Sequence, residues 1–298
     1  MVQGTSLVYK VVDGCEIAVD IYRPDDGVVR PILIYIHGGA LIMGSRTWIH
    51  PTQIDRYLAD GFAIVSIDYR LAPESRLASI VEDVQDAFAW ARTEGASRFN
   101  LDPTRVGVVG HSAGGYLALL SGYRVDPRPR AIVSNYGYGD IAGAWYSRPD
   151  PFYCQQPLVF DGDARAAVGQ QPISDGSGTA SEGRRHFYIY CRQRGLWPRE
   201  VVGADPDSEP AAFVPFCPVC NVTPDYPPTL LVHGDHDTDV PYEQSVLMAA
   251  RLAEAGVEHE LITIRGGGHG FESDADNPEV RAAIDRLHAF FRRRVVEA

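Results

Sequence analysis

The 298-residue sequence is poor in basic residues and contains no long apolar run. Its 27 lysines and arginines are outnumbered by 39 aspartates and glutamates, which gives a net charge of −12. Binding to a phosphate backbone depends on clustered basic side chains, so nucleic acid is not an expected partner. We interpret the basic run at 292–294 as the solvated face of a final helix. No stretch approaches the ~20 apolar residues that cross a bilayer, so no membrane partner is expected.

The first residues have neither the basic region nor the apolar region of a secretory signal peptide. A cytoplasmic location is therefore expected. Hydrophobic residues make up 45% of the chain, which is enough for a large core, and favour one α/β domain with an insertion over two independent domains. No pattern identifies an oligomer interface, and a homodimer through an edge strand or the insertion stays open.

Cysteine is scarce, with five in the chain. Cys217 and Cys220 have the spacing of a redox pair or of half a zinc site, and Cys154 and Cys191 lie in the same part of the chain. A redox pair is expected near a strand-to-helix junction, whereas this pair lies in a proline-rich connection. A zinc site would need two further ligands at close spacing. We therefore expect structural thiols and neither a metal nor an organic cofactor, although a disulfide within the insertion stays open.

Apolar runs alternate with segments of helical periodicity along most of the chain. Residues 137–227 interrupt this alternation and are rich in proline, tyrosine, tryptophan and arginine. Their many aromatic side chains argue against disorder, so we expect a mostly helical cap over the site, inserted into a core of residues 1–136 and 228–298. The predicted strands are 7–12, 16–22, 32–36, 63–68, 105–109, 131–134, 229–232 and 261–264, and the predicted helices are 52–60, 79–94, 115–121, 242–255 and 278–295.

The pentapeptide Gly-His-Ser-Ala-Gly at 110–114 follows a predicted strand and precedes a predicted helix. A serine at such a turn is held in a strained conformation that exposes its hydroxyl, and small neighbours let the strand and helix pass closely. The motif alone is weak, since such strings also mark ordinary turns. Its context makes Ser112 the candidate nucleophile.

A serine nucleophile needs a base, and the base needs an orienting group. His269 follows the last predicted strand and three glycines. A histidine side chain ordinarily has a pKa near neutrality, which suits proton transfer. Asp235, Asp237 and Asp239 follow the strand before it, and each could supply the carboxylate. The order serine, acid, histidine is that of the α/β-hydrolases.

Several motifs together resemble one family. They are His-Gly-Gly at 37–39, Asp-Tyr-Arg-Leu-Ala-Pro-Glu at 68–74, the pentapeptide at 110–114, Asp237 and His269. The sequence resembles α/β-hydrolases of the hormone-sensitive-lipase-like esterase group. This resemblance implies a mostly parallel central sheet flanked by helices, with a largely helical cap insertion.

The resemblance also implies residue roles. It selects Asp237 as the catalytic acid, which leaves Asp235 and Asp239 as turn-capping or surface groups. It assigns the N–H groups of the oxyanion hole to Gly39 and Ala40, and Gly38 allows the backbone of this loop to follow a tight path. The fold adds the N–H of Ala113, directly after the nucleophile. Ala40 replaces the third glycine of the family's motif, and the long amino-terminal segment of many members does not precede the first strand.

Two further groups of residues have weaker signals. Asp68 to Glu74 is interpreted mainly as an ionic and hydrogen-bonded brace under the site, because buried charges usually occur in pairs. Tyr138 and Asp140 follow a strand at the entrance to the cap and are candidate substrate contacts. These remain expectations from position alone.

The predicted function is a serine carboxylesterase that acts through an acyl-enzyme on a small-molecule ester, with short to medium or aromatic acyl groups. Alternatives on the same fold are an acetyl or feruloyl carbohydrate esterase, a peptidase or amidase, and a lyase. A ligand-binding protein without catalysis is a further alternative, although such a protein is expected to lack part of the triad.

Overall fold

The computed structural model describes residues 4 to 297, and within them eight strands form one sheet. The strand order is β1-β2-β4-β3-β5-β6-β7-β8. Strands β1 and β2 form an antiparallel hairpin, β2 pairs antiparallel with β4, and the remaining pairs are parallel. The strands are β1 Thr5–Val12, β2 Cys15–Tyr22, β3 Arg30–Ile36, β4 Ala63–Ile67, β5 Leu101–His111, β6 Ala131–Asn135, β7 Thr229–Gly234 and β8 His259–Ile264.

Helices cover both faces of this sheet. They are α1 Pro51–Ala59, α2 Leu77–Trp90, α3 Ala96–Phe99, α4 Ala113–Arg124, α5 Ala144–Ser147, α6 Asp161–Ala166, α7 Ser181–Arg194, α8 Trp197–Val201, α9 Glu243–Glu254 and α10 Pro278–Phe291. The predicted helix 79–94 corresponds to α2 and a π-helical turn at Ala91–Gly95, which leads directly into α3. No helix among residues 4–297 is long and apolar enough to span a bilayer.

The central strands are buried on both faces, which explains their nearly continuous apolar runs. In β3, Ile34 packs in the cluster beneath α2, α4 and α9, whereas its neighbours Leu33 and Tyr35 pack in the cluster beneath α1 and α10. Successive side chains of a strand point to opposite faces. The sheet therefore separates two apolar cores.

The parallel register brings the carboxyl ends of the strands to one edge. Ile36 at the end of β3 pairs with Gly110 of β5, and Asn135 at the end of β6 pairs with both His111 and Val232. The loops after β3, β5, β6, β7 and β8 consequently meet at that edge. This is where ligands bind in open α/β sheets.

The chain between β6 and β7 is a long insertion, residues 136–228, that contains α5 to α8 and several 3₁₀ turns. Its longest helix, α7, ends at Gly195, which adopts a left-handed φ of 65° as helix-terminating glycines commonly do. The other helices span six residues or fewer, so the insertion is helical in short pieces joined by irregular chain.

Candidate active site

Ser112 occupies the turn between β5 and α4 with φ 56° and ψ −119°. A non-glycine residue in this region is strained, and such strain persists only when the surroundings enforce it. Here the enforcement is steric. A Cβ atom at Gly110 would lie 2.0 Å from the carbonyl oxygen of Gly114, and one at Gly114 would lie 2.0 Å from the oxygen of Ile36. Glycine on both sides lets the helix and strand approach closely enough to form the elbow.

The side chain of Asp237 is fully buried and makes several hydrogen bonds. Its Oδ2 accepts a 2.8 Å hydrogen bond from Nδ1 of His269, and its Oδ1 accepts bonds from the backbone N–H groups of Asp239 and Val240 at 2.8 and 2.9 Å. Burial alone would raise the pKa of Asp237, but the bonds from His233, His269 and the backbone outweigh it and hold this pKa well below the usual range. The carboxylate is therefore charged and fixed in orientation.

His233 is a second histidine on the same carboxylate, and the sequence interpretation missed it. Its Nε2 lies 3.1 Å from Oδ2 of Asp237 and 3.1 Å from the carbonyl oxygen of Val240. Its Nδ1 lies 2.7 Å from the hydroxyl of Ser245 in α9. His233 lies near the end of the apolar strand β7, and the sequence interpretation gave it no role. Its spacing of four residues from Asp237 was the available signal.

His269 presents its other ring nitrogen, Nε2, on the side away from Asp237. That nitrogen lies 3.5 Å from Oδ2 of Asp239, and the ring packs edge-to-face on Tyr136 at 4.6 Å. Burial lowers the pKa of His269, but the carboxylates of Asp239 and Asp237 more than compensate, and the net shift is upward. The interpretation of Asp239 as a surface or turn group is therefore wrong, since it faces the imidazole.

The backbone positions predicted for the oxyanion hole lie beside Ser112. A Cβ atom at Gly38 would lie 2.8 Å from the carbonyl oxygen of His111 and 3.3 Å from Cβ of Ser112, and one at Gly39 would lie 2.1 Å from the oxygen of Met43, so both positions require glycine. Ala40 has φ 56°, a conformation that costs an alanine about 1 kcal/mol. Ala113 is the first residue of α4, where N–H groups have no partner within the helix.

These residues surround one cavity of about 1140 Å³. Ser112, His269, Asp239 and residues 38–40 all line it. Two further parts of its wall come from different elements. The insertion contributes Phe152, Tyr153, Gln156, Arg185, Tyr188 and Ile189, whereas α1 and α10 contribute Gln53, Tyr57, Ile284 and Leu287.

The segment 68–74 braces the loops around this cavity through specific pairs. Arg70 forms two hydrogen bonds with the buried carboxylate of Asp83, at 2.7 and 2.9 Å. Glu74 pairs at 2.8 Å with Arg184 of α7, and both side chains are buried. The segment therefore connects the core to the insertion, as a structural brace would.

Tyr138 and Asp140 do not contact the cavity, which corrects the expectation that they bind substrate. Tyr138 is fully buried, with its ring stacked on Tyr116 at 4.8 Å. Asp140 accepts a 2.8 Å hydrogen bond from the N–H of Ala142 and thereby shapes its own turn. The reason is local: Tyr136 adopts φ 39°, and beyond it the first residues of the insertion turn into the core, where Tyr138 is buried.

All five cysteines are free thiols, so the disulfide left open in the insertion does not form. Cys15, Cys191 and Cys217 are buried, and Cys154 and Cys220 are exposed. Burial raises the pKa of the Cys217 thiol to about 12. Among the residues that the structure describes, no group of three or more histidine, cysteine, aspartate or glutamate side chains could hold a metal ion.

The sheet order, the elbow and the surrounding loops define a class, and a family model of the α/β-hydrolase fold matches residues 33–273. The chain belongs to this family, within its hormone-sensitive-lipase-like group. Among individual proteins it is similar to esterase LipC of Mycobacterium tuberculosis, with 31% identity over 258 residues that cover 85% of this chain and 57% of LipC.

The chain also resembles part of much larger proteins. A non-reducing polyketide synthase of Emericella nidulans is 31% identical over 346 residues, which cover 99% of this chain but 14% of the synthase.

Among solved structures, an α/β-hydrolase superfamily protein of Enterococcus faecalis has a TM-score of 0.77 at 20% identity, covering 99% of this chain and 100% of that one. A propionate-bound esterase of Thermogutta terrifontis has a TM-score of 0.67 at 22% identity, covering 96% and 93%. At these identities the two structures support the fold alone.

Proposed function

We propose that the protein is a serine carboxylesterase that hydrolyses small-molecule esters with short to medium or aromatic acyl groups. The observation that carries this proposal is the convergence on one cavity of Ser112, held at a strained elbow, and His269, hydrogen-bonded to the buried Asp237. The proposal requires no cofactor. The family membership and the similarity to an esterase support the same class of reaction.

The proposed mechanism uses three side chains in turn. His269 Nε2 accepts the proton of Ser112 Oγ as that oxygen attacks the ester carbon, and then donates it to the leaving alcohol. Asp237 holds the ring through Nδ1 and stabilises the imidazolium. A water molecule activated by the same nitrogen then hydrolyses the acyl-enzyme, which regenerates Ser112.

The tetrahedral intermediate carries a negative oxygen that needs fixed donors. The backbone N–H groups of Gly39, Ala40 and Ala113 are assigned this role, and Gly38 keeps the loop close to Ser112. Removing one such donor typically slows the reaction by about 10² to 10³-fold. Because these donors belong to the backbone, substitutions test them less directly than they test the triad.

The shape of the cavity supports the proposed substrate range. Its volume of about 1140 Å³ leaves room for more than an acetyl group, and Phe152, Tyr153 and Tyr188 give it an aromatic wall on the side of the insertion. Apolar pockets with a few polar groups are typical of small-molecule sites. An aromatic or medium-chain acyl group would bury its surface against these rings.

The test is the initial rate on p-nitrophenyl esters from acetate to palmitate. Ser112→Ala should reduce kcat by about 10³-fold or more. Ser273→Ala is the matched control, because Ser273 lines the same cavity but bonds only a backbone oxygen of its own loop. A fluorophosphonate should label Ser112 in the wild type. Equal activity of Ser112→Ala and the wild type would contradict the proposal.

The same assay distinguishes the alternatives on this fold. Matched anilides test amidase activity, and acetylated or feruloylated saccharides test a carbohydrate esterase. Turnover of anilides at a rate comparable to the esters would contradict the restriction to esters. Ligand binding without turnover of any substrate would favour a binding protein.

A further inference from the structure

Asp239 lies between the proposed catalytic histidine and the insertion, and its two oxygens have different partners. Oδ2 faces Nε2 of His269 at 3.5 Å. Oδ1 accepts hydrogen bonds from the hydroxyls of Tyr153 and Tyr188 and from Nη1 of Arg192, the first and last at 2.9 Å. Oδ1 is thus held by three donors, while Oδ2 faces Nε2 of His269, the nitrogen that the proposed mechanism uses as the base for Ser112.

Arg192 is the centre of this anchor. Its guanidinium is fully buried, forms a second ion pair with Asp150 at 2.6 Å and donates at 3.0 Å to the carbonyl oxygen of Asp239. Its charge lies 4.8 to 5.7 Å from the centroids of four aromatic rings, those of Trp145, Tyr146, Tyr153 and Tyr188. Cations over such rings are attracted by the ring quadrupole, more strongly when desolvated. The insertion therefore fixes Asp239 through a rigid set of contacts.

The consequence for His269 follows from its hydrogen bonding. Because Nδ1 donates to Asp237, the neutral ring presents a lone pair at Nε2, and this lone pair faces a carboxylate oxygen. That arrangement is repulsive. Protonation of Nε2 converts the repulsion into attraction, so Asp239 favours the imidazolium over the neutral ring. The imidazolium is the form that exists after the serine proton has been taken.

Other charged or titratable groups also face His269. Asp237 bonds Nδ1, Glu272 contributes from the loop of His269 itself, and Tyr136 packs on the ring from the end of β6. On the far side of Asp239, the charge of Arg192 partly compensates that carboxylate. The upward shift in the pKa of His269, in which Asp239 is the largest favourable contribution, agrees with the geometry.

We propose that Asp239 is a second carboxylate partner of His269, a positioning residue that strengthens Nε2 as the base for Ser112 and is held in place by the insertion. The inference rests on the proposed esterase function. In the acylation step the Ser112 Oγ–H bond breaks, the proton moves to Nε2, and Oγ forms a bond with the ester carbon. Asp239 takes no proton; its negative charge faces the new N–H.

The test is the pH profile of kcat/KM for p-nitrophenyl acetate, whose leaving group needs no protonation. Asp239→Asn keeps the shape of the side chain and an oxygen that can accept from Tyr153, Tyr188 and Arg192. In this variant the acid limb of the profile should shift to lower pH by about one unit, and the plateau value of kcat/KM should fall by about tenfold. Asp239→Glu retains the charge and should keep its limb near that of the wild type.

Asp235→Asn is the matched control. It removes the same charge from the same loop, but Asp235 bonds the backbone N–H of Gly266 at 2.6 Å rather than His269. Its acid limb should match that of the wild type. A folded Asp239→Asn whose limb superimposes on the wild type, or an Asp235→Asn that shifts equally, would overturn the inference.

Circular dichroism reports whether Asp239→Asn is folded. If it is not, Asp239→Ser, which also removes the charge, takes its place: an acid limb shifted to lower pH supports the inference, and one that superimposes on the wild type overturns it. If no ester is turned over, the rate of fluorophosphonate labelling at Ser112 supplies the same profile. Absence of both turnover and labelling refutes the esterase proposal and the inference with it, whereas Ser112-dependent turnover with an unshifted limb refutes the inference alone.

Discussion

The sheet and the insertion are stabilised by different interactions. The central strands bury apolar side chains almost without interruption, as Ile34 and its neighbours in β3 do. The insertion buries apolar and aromatic side chains as well, but among them it also buries two arginines, Arg184 against Glu74 and Arg192 against Asp150 and Asp239. Breaking a buried ion pair costs more than removing a methylene from a core, because an unpaired charge is left behind. The position of the insertion should therefore depend more on single residues than the position of any strand does.

The largest effect on stability is expected at the ion pair between core and insertion. Glu74→Leu leaves the buried guanidinium of Arg184 uncompensated and should lower the free energy of unfolding by about 4 kcal/mol. The double variant Glu74→Leu/Arg184→Met removes both charges and should recover most of that loss. Urea unfolding of the single and double variants measures both. Equal destabilisation of the two variants would show that the charge itself is not the cause.

A buried histidine, His37, should make the free energy of unfolding depend on pH in the acidic range. Burial lowers the pKa of His37 to about 4, so between pH 6.5 and 4 the unfolded chain binds a proton that the folded chain does not. The stability that depends on neutral His37 is complete above pH 6.5 and is lost as the pH falls towards 4, by about 3 kcal/mol in total. Urea unfolding at pH 7, 5.5 and 4 should show a weaker pH dependence in His37→Gln. Parallel curves for the two proteins would be inconsistent with this role.

Removing a single methylene group from the sheet should have a mild effect on stability. Ile34→Val removes one methylene from a fully buried position and should lower the free energy of unfolding by about 1 kcal/mol. The KM for p-nitrophenyl esters should not change, because Ile34 does not line the cavity. If this variant destabilised the protein as much as Glu74→Leu, the contrast between sheet and insertion would be lost.

The smallest effect is expected at Tyr138. Its ring packs between Tyr116 and the aromatic residues of the insertion, away from the cavity. Tyr138→Phe should therefore leave both kcat and KM within about twofold of the wild-type values. Steady-state kinetics on a short and a medium-chain ester measure this. A selective rise in KM would return Tyr138 to the substrate site and contradict the structure.

Much of the core was predictable because a strand covered on both faces must be apolar throughout. The elbow was predictable for the same kind of reason, since few residue types permit the close approach seen at Gly110 and Gly114. Strand β5 nevertheless begins at Leu101, because Leu101 and Asp102 pair with β3 before an irregularity in the register, after which the pairing resumes at Val106. Periodicity cannot identify such pairing.

The parts that the sequence did not predict are contacts between distant residues. Asp239 was left as a turn-capping or surface group because the family resemblance selected Asp237, and only the fold brings Asp239 to His269. The pairing of Arg192 in α7 with Asp150 joins residues 42 positions apart, and Asp150 lies in irregular chain where no periodicity indicates its partner. Tyr138 was misassigned because proximity to a strand end does not give the direction in which the chain turns next.

Asp237 retains contacts to His233 and to the backbone N–H groups of Asp239 and Val240 in addition to the bond from His269. The carboxylate would therefore keep its charge and orientation if the His269 ring turned away to release an alcohol or admit water. His233, held to α9 through Ser245, would remain in contact with the carboxylate during that interval. In the proposed mechanism the carboxylate would thus stay oriented throughout the cycle, so that the His269 ring could return to the same hydrogen bond after each step.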